Sequence, residues 1–155
     1  MAGVRTATEE DTDGLLRLAA EVEQWFGPMV EVPGFRRALG RHLVRGTALV
    51  RPGAQQLLGG VLFGPGRPAH IDWLVVTEQA RRRGVGRALL AECVRRFVRP
   101  PGRIEVVTFG AAHPGAEASG ARAFYERLGF SPAEPAPPGP EGGPRQFYRC
   151  DVRRA

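Results

Sequence analysis

Apolar positions along the chain follow two spacings, and the places where one gives way to the other mark its elements. "VRTAT", residues 4–8, predicts a short first strand, and the acidic, cap-like "EEDTDG" follows it. Leu15, Leu18, Ala19, Val22 and Phe26 then recur at helical spacing, so "GLLRLAAEVEQWF" predicts a helix with one buried face. "GPMVEVPG" breaks it before a second helix over residues 35–44. "TALVR" and "QQLLGGVLFG" predict paired strands turning at "PGAQ", and "AHIDWLVV" predicts a third strand after "GPGRP". From Gly84 the spacing is helical again, through Val85, Ala88, Leu89, Val94 and Phe97, until "RPPGR" stops it. "IEVVTFG" reads as a strand, "AAHPGAEASG" as a loop, "ARAFYERL" as a helix closed by Gly129, and "RQFYRCDV" as the last strand. The proline and glycine of "EPAPPGPEGGP" predict a mobile loop over about residues 132–144.

Consecutive strands with no helix between them require antiparallel hairpins, whereas the helix between "AHIDWLVV" and "IEVVTFG" permits a parallel crossover. The expected fold class is α/β of the α+β kind, a mixed sheet with helices packed on it. One domain over residues 1–155 suits a chain of this length. No run approaches the ~20 apolar residues of a membrane span, and "MAGVRTATEEDTDG" lacks the apolar core of a secretory signal. No membrane association is expected. Cys93 and Cys150 fit no metal-ligand spacing, and no set of histidines and carboxylates has it either. No metal is expected, and the two thiols read as reduced, as in the cytoplasm.

The net charge of +6 is carried wholly by arginine; lysine and asparagine are absent. That bias follows GC-rich codons, suggests a bacterial source, and weakens any inference from basicity to nucleic acid. It also directs attention to "TEQARRRGVGRALL", residues 77–90. Arg81, Arg82, Arg83 and Arg87 as nucleic-acid contacts would need interleaved aromatic or groove-filling partners, and none is present. Gly84-Val85-Gly86 as the start of a dinucleotide fingerprint fails at Leu89, where the third glycine belongs. A Walker A loop needs a lysine. Exposed arginines at a helix start are the plainest reading, but positive charge there opposes the helix dipole. An anion seated among them resolves the conflict. Glycines at 84 and 86 let main-chain N–H groups close on phosphate oxygens, so the segment reads as a diphosphate cradle.

"LVVTEQARRRGVGRALL" resembles the acetyl-CoA-binding motif of the GNAT superfamily of N-acetyltransferases, (Q/R)xxGx(G/A) between strand and helix. "ARAFYERLGF" resembles the superfamily's second hallmark, a helix carrying "FYE" and closing with "LGF". The match runs from about Leu57 to Phe130. It implies a largely antiparallel central sheet flanked by about four helices, and acetyl-CoA as co-substrate. Arg81, Gly84 and Gly86 fill the motif's defined places. By the resemblance, main-chain N–H groups of Arg82, Arg83, Gly84, Val85, Gly86, Arg87 and the adjoining Ala88 hold the diphosphate. The strand end at Leu74, Val75 and Val76 pairs with the pantetheine arm. Two positions depart from the family pattern: Glu78 stands where a proline is common, and Ala118 where a cofactor-facing asparagine is usual. Ser119 is the substitute next along.

The same resemblance implies transfer of an acetyl group to a primary amine by direct attack, with Tyr125 as the general acid that protonates the leaving thiolate. Packing of a half-buried helix tyrosine is the other reading of Tyr125. Period-two alternation in "AHIDWLVV" puts Ile71, Trp73 and Val75 on one face and His70, Asp72, Leu74 and Val76 on the other. His70 and Asp72 are therefore the candidates for the base, with surface ion pairing as their alternative role. His113, Glu21 and Glu23 stand behind them. Trp25 and Phe26 lie where relatives shape the acceptor pocket, and Glu21 and Glu23 are candidates to attract its cationic amine. The acceptor is a small-molecule or peptide amine, and homodimers are frequent among such proteins. The departure at Ala118 leaves a second function open, an acyl-CoA-binding regulatory module without catalysis.

Overall fold

The computed structural model describes residues 3–113, 115–138 and 143–153. Strand β1 (Arg5–Thr6) leads through a short 3-10 turn into α1 (Thr12–Phe26) and α2 (Pro33–Arg45). Strands β2 (Ala48–Pro52), β3 (Leu57–Gly64) and β4 (Ala69–Val76) follow as a meander. Then come α3 (Val85–Phe97), β5 (Gly102–Phe109), α4 (Gly115–Ser119), α5 (Ala121–Arg127), β6 (Ser131–Ala136) and β7 (Arg145–Val152). The seven strands form one sheet in the order β1-β2-β3-β4-β5-β7-β6. Every pairing is antiparallel except β4 with β5, which α3 joins by the crossover that parallel strands require.

Alternating side chains feed two cores. Leu49, Val61, Phe63, Ile71, Ile104 and Val106 point to one face, where Val85, Ala88, Leu89 and Cys93 of α3 and Tyr125 of α5 cover them. Ala48, Val50, Leu62 and Val75 point to the other, under Leu15, Leu18, Ala19 and Val22 of α1 and Leu39 of α2. The helical spacing seen in the sequence is thus the buried stripe of α1. Cys93 and Cys150 are free thiols, and burial pushes the Cys93 thiol up to about 12. Among the described residues, no helix is long and apolar enough to cross a membrane.

Three local features differ from the sequence-based expectations. A β-bulge interrupts β4: Leu62 faces Trp73 while Phe63 faces Ile71, which leaves Asp72 as an extra residue. The alternation therefore changes phase at Asp72. Ile71 packs in the α3 core with Leu74 and Val76 at its margin, while Trp73 and Val75 belong to the α1–α2 core. His70 and Asp72 do not share a face with Leu74 and Val76 as the simple alternation expected. The chain from Ser131 to Ala136, given in part to the loop over about 132–144, is strand β6, paired with β7 through Ser131↔Arg149 and Ala136↔Arg145. Prolines at 132 and 135 are tolerated because β6 is an edge strand. Residues 139–142 of that expected loop lie outside the described residues. The loop expected over "AAHPGAEASG" contains the short helix α4.

The bulge also shapes the sheet. β4 and β5 pair only at Ala69↔Ile104, His70↔Glu105 and Ile71↔Val106. Beyond them β4 stays with β3 as far as Gly59↔Val76, and β5 stays with β7 as far as Phe109↔Arg145. The two strands part, and a cleft opens between their C-terminal halves.

Candidate active site

The turn after β4 is fixed from below. Thr77, fully buried, donates its hydroxyl to Glu21 of α1 at 2.8 Å, and the Glu78 N–H reaches the same carboxylate at 3.3 Å. Farther on, the backbone turns left-handed at Arg82 (φ 66°) and Gly84 (φ 79°), the second of which costs a glycine little. Helix α3 then starts with no side-chain cap and no acidic residue in its first turn; its first helical bond joins Ala88 N–H to Gly84 C=O at 2.9 Å. The earlier N–H groups of the turn have no partner within the helix, and they carry the positive end of its dipole. Gly86 serves a second purpose. A Cβ there would stand 2.7 Å from Cζ of Phe124, so the missing side chain lets α5 close against the start of α3.

This turn forms one end of a cleft of about 1130 Å³. Leu74, Val75, Val76, Arg81, Arg82, Gly84, Val85, Gly86 and Arg87 line one wall. Thr108, Ser119, Gly120, Ala121, Phe124 and Tyr125 line the other. Arg83 and Ala88 do not; Arg83 is exposed and Ala88 packs in the core. The Ser119 hydroxyl accepts the Ala121 N–H at 3.3 Å. Tyr125 is seated by the end of its own helix. Gly129, at φ 95°, lets the Phe130 N–H return to the Tyr125 carbonyl at 3.0 Å and the Gly129 N–H to Glu126 at 3.1 Å. The Tyr125 ring packs edge-on against Phe124 and Phe130, and burial raises its pKa, so the phenol stays protonated at neutral pH. Two buried polar atoms in the lining have no protein partner, Thr108 Oγ1 on β5 and Trp73 Nε1 on β4.

On the α1–α2 side the cleft meets a charged ladder across the strands. His70 Nδ1 lies 3.7 Å from Glu105 Oε1, directly opposite in the register. Glu105 accepts a hydrogen bond from Arg149 of β7, and Arg149 also grips Glu134 of β6 at 2.6 Å. Glu105 lines the cleft and was missed by the sequence reading. Its only signal there is its place in "IEVVTFG"; the pairing with His70 depends on the β4–β5 register, which the sequence does not display. Asp72 lies 2.9 Å from His42 Nε2, whose Nδ1 meets Thr47 Oγ1 at 2.7 Å. The carboxylate anchors α2 to β4, although half of it is exposed.

The acceptor-side candidates divide. Trp25 and Phe26 line the cleft; Arg81 lies over the Trp25 ring at 5.5 Å and Phe26 stacks on Phe109 at 4.5 Å. Glu21 and Glu23 do not line it. Glu21 is spent on Thr77 and Glu78, and Glu23 accepts the N–H groups of Met29 (2.6 Å) and Val30 (2.9 Å), closing the α1–α2 loop. His113 is buried against Phe109 and its Nδ1 accepts the Gly115 N–H at 2.8 Å, so it is not brought to the cleft. Among the described residues, no group of three or more His, Cys, Asp or Glu is arranged to hold a metal ion.

A split parallel pair, an uncapped helix start at its mouth and a buried tyrosine on its far wall define an acyltransferase scaffold. The chain belongs to the GNAT acetyltransferases: the family's acetyltransferase domain matches residues 40–132. The fold is similar to that of a GNAT-family acetyltransferase from Bacillus cereus, with TM-score 0.72, 16% identity and 97% of each chain covered. It is also similar to a ribosomal-protein-alanine N-acetyltransferase from Brucella melitensis, with TM-score 0.71 and 21% identity over 96% of this chain and 99% of that one. A chain of the NatC complex, solved with a Gag peptide and CoA, gives TM-score 0.72 and 14% identity over 96% and 97%. No curated protein matches the sequence.

Proposed function

We propose that the protein transfers an acetyl group from acetyl-CoA to a primary amine. When bound, acetyl-CoA supplies an activated acetyl thioester. Three features of the cleft suit that molecule: main-chain donors without partners at the start of α3, arginines 81, 82 and 87 around them, and an unpaired β4 edge beside the buried Thr108 hydroxyl. Arg82, Gly84, Val85, Gly86 and Arg87 hold the diphosphate, and the backbone of Leu74, Val75 and Val76 pairs with the amide groups of the pantetheine arm. Ser119 stands on the opposite wall.

The amine must first lose a proton. For an ordinary amine with pKa ~10.4, the free base at pH 7 costs about 4.6 kcal/mol. His70 accepts that proton, with Glu105 beside it to stabilise the imidazolium and Arg149 keeping Glu105 in place. Asp72 is the alternative base, at the cost of its bond to His42. The amine nitrogen then bonds to the acetyl carbon, the carbon–sulfur bond breaks, Tyr125 gives its proton to the leaving thiolate, and the second proton shed by the nitrogen as the amide forms restores the Tyr125 phenol. A backbone N–H near Val75 or Val76 stabilises the developing oxyanion.

The single observation that carries this reading is the cleft joining the open α3 start to Tyr125. The test follows thiol release with a panel of amines. Tyr125→Phe is expected to lower turnover about 100-fold or more while CoA binding changes little. Equal turnover in the variant removes Tyr125 from the acid role. Cofactor binding without amine-dependent thiol release across the panel favours the regulatory module instead.

A further inference from the structure

A second groove, of about 380 Å³, lies between the start of α1 and α2 and shares no residue with the cleft. Leu16, Leu39, Leu43 and Val44 make it apolar. Gly40 leaves it open, since no atom lies within 4 Å of the place its Cβ would take. A glycine in mid-helix weakens the helix, and no contact within the chain requires one here. Val44 is 89% exposed and Val32, the residue that precedes α2, 38%; among the described residues these are the exposed large apolar side chains. Apolar surface left open beside charged rims marks a place of contact.

The two rims carry opposite charge. On the α2 side, Arg37 and Arg41 stand three residues before Gly40 and Val44, and α2 holds four arginines and no carboxylate. Arg37 and Arg41 are themselves four apart, a like-charge pair that repels along the helix. On the α1 side are Glu9, which lines the groove, and the exposed Asp13, three residues before Leu16. None of these four side chains has an ion-pair or hydrogen-bond partner among the described residues. Their neighbours Asp11, Arg17 and Arg36 are engaged with Arg5, Glu21 and the Val30 carbonyl, and the exposed Glu10 and Arg45 have the signs of their own rims. An acidic partner relieves the arginines but meets Glu9 and Asp13 with like charge, and a basic partner does the reverse. A surface with an apolar floor between one acidic and one basic rim is complementary to itself. We propose that this groove is the interface of a homodimer, with the two-fold axis running along it. That operation lays each acidic rim against the basic rim of the second copy and sets each Val44 in the other copy's groove. The face spans two helices, of 15 and 13 residues, so the contact is small and the expected Kd is on the order of 10 µM. It bears on the cleft through α2, which brings Phe35 to the cleft wall and His42 to Asp72.

Sedimentation velocity on the full-length protein, from about 1 µM to about 200 µM in low salt, measures the association. The weight-average mass is expected to rise from one chain towards two, and high salt to weaken the rise. Gly40→Gln puts a side chain into open space and favours the helix, so the melting temperature of the dilute protein is expected to hold or rise while Kd weakens about tenfold or more. Two charge variants make the stronger test. Arg37→Glu with Arg41→Glu turns both rims acidic, and Glu9→Arg with Asp13→Arg turns both basic. Each is expected to stay monomeric alone, and an equimolar mixture to form a dimer with one chain of each kind, which misfolded variants would not do. A wild-type chain that stays monomeric over the whole range overturns the inference. So does a dimer that ignores Gly40→Gln and both reversals, a mixture that does not associate, or growth beyond two chains. A monomer that binds polyglutamate through Arg37 and Arg41 overturns it too, and gives the face to an acidic partner.

Discussion

Gly84 and Gly86 stand two residues apart in the same motif, and the structure uses them for unlike reasons. Gly84 has φ 79° and no atom within 4 Å of the place a Cβ would take, so an alanine there meets backbone strain alone. Gly86 meets Phe124, with Cζ at 2.7 Å and Cε1 at 2.8 Å. Gly84→Ala is therefore expected to cost about 1–2 kcal/mol through its left-handed conformation. Gly86→Ala is expected to cost about 1–3 kcal/mol through overpacking and to be relieved by Phe124→Leu in the double variant. Urea denaturation of the three proteins reads this directly; a Gly86→Ala cost that Phe124→Leu leaves untouched contradicts the steric account. The glycine spacing was plain in the sequence. That one glycine serves the turn and the other serves helix–helix contact was not, because Phe124 lies 38 residues away in the chain.

At the scale of elements, ionised carboxylates brace two joints, at Asp11 and Glu134, and one helix, at Glu92. Asp11 holds α1 to β1: Arg5 donates to it at 2.8 Å and the Thr8 N–H at 2.8 Å, and the Arg5 bond chiefly lowers its pKa. Arg95 and Arg96 hold Glu92 of α3 down to about 2, and Arg149 does the same for Glu134 of β6, also to about 2. All three have folded pKa values below their unfolded ones. Their contribution is therefore complete above the unfolded range and disappears as pH falls through the folded values. The denaturation midpoint is expected to drop steadily between about pH 4.5 and pH 2 and to hold steady just above that window. A midpoint that rises with acid refutes the ion-pair account. β4 belongs to the same scale. Its alternation looked regular in sequence, yet the bulge at Asp72 reassigns Trp73 and Val75 to the α1–α2 side. A bulge is decided by the partner strand, so one strand read alone cannot announce it.

For the whole molecule the question is whether the cleft acts as a single ligand site. A ligand bound to the folded state alone stabilises by about 2.7 kcal/mol at a concentration 100 times its Kd. CoA is expected to raise the melting temperature clearly, and pantetheine, which lacks the diphosphate, to raise it less at equal concentration. Added salt should narrow the gap, since Arg82 and Arg87 are partly or fully open to solvent and screening acts on exposed charges. Equal shifts from both ligands, indifferent to salt, place the binding energy away from the α3 start.

Local chemistry was what the sequence by itself determined. Helical spacing named the buried stripe of α1, Gly84 marked the turn that opens α3, and Gly129 marked the end of α5. These features depend on neighbours within one turn or one strand, which the chain order preserves. Only the tertiary structure decided what depends on distant partners. Glu21 and Glu23 looked like lures for an amine and proved to be struts, because the N–H groups and hydroxyl they accept lie in loops whose position the fold sets. Glu105 passed unnoticed until the β4–β5 register placed it opposite His70. A carboxylate's role follows from which donors reach it first, and that is settled by packing.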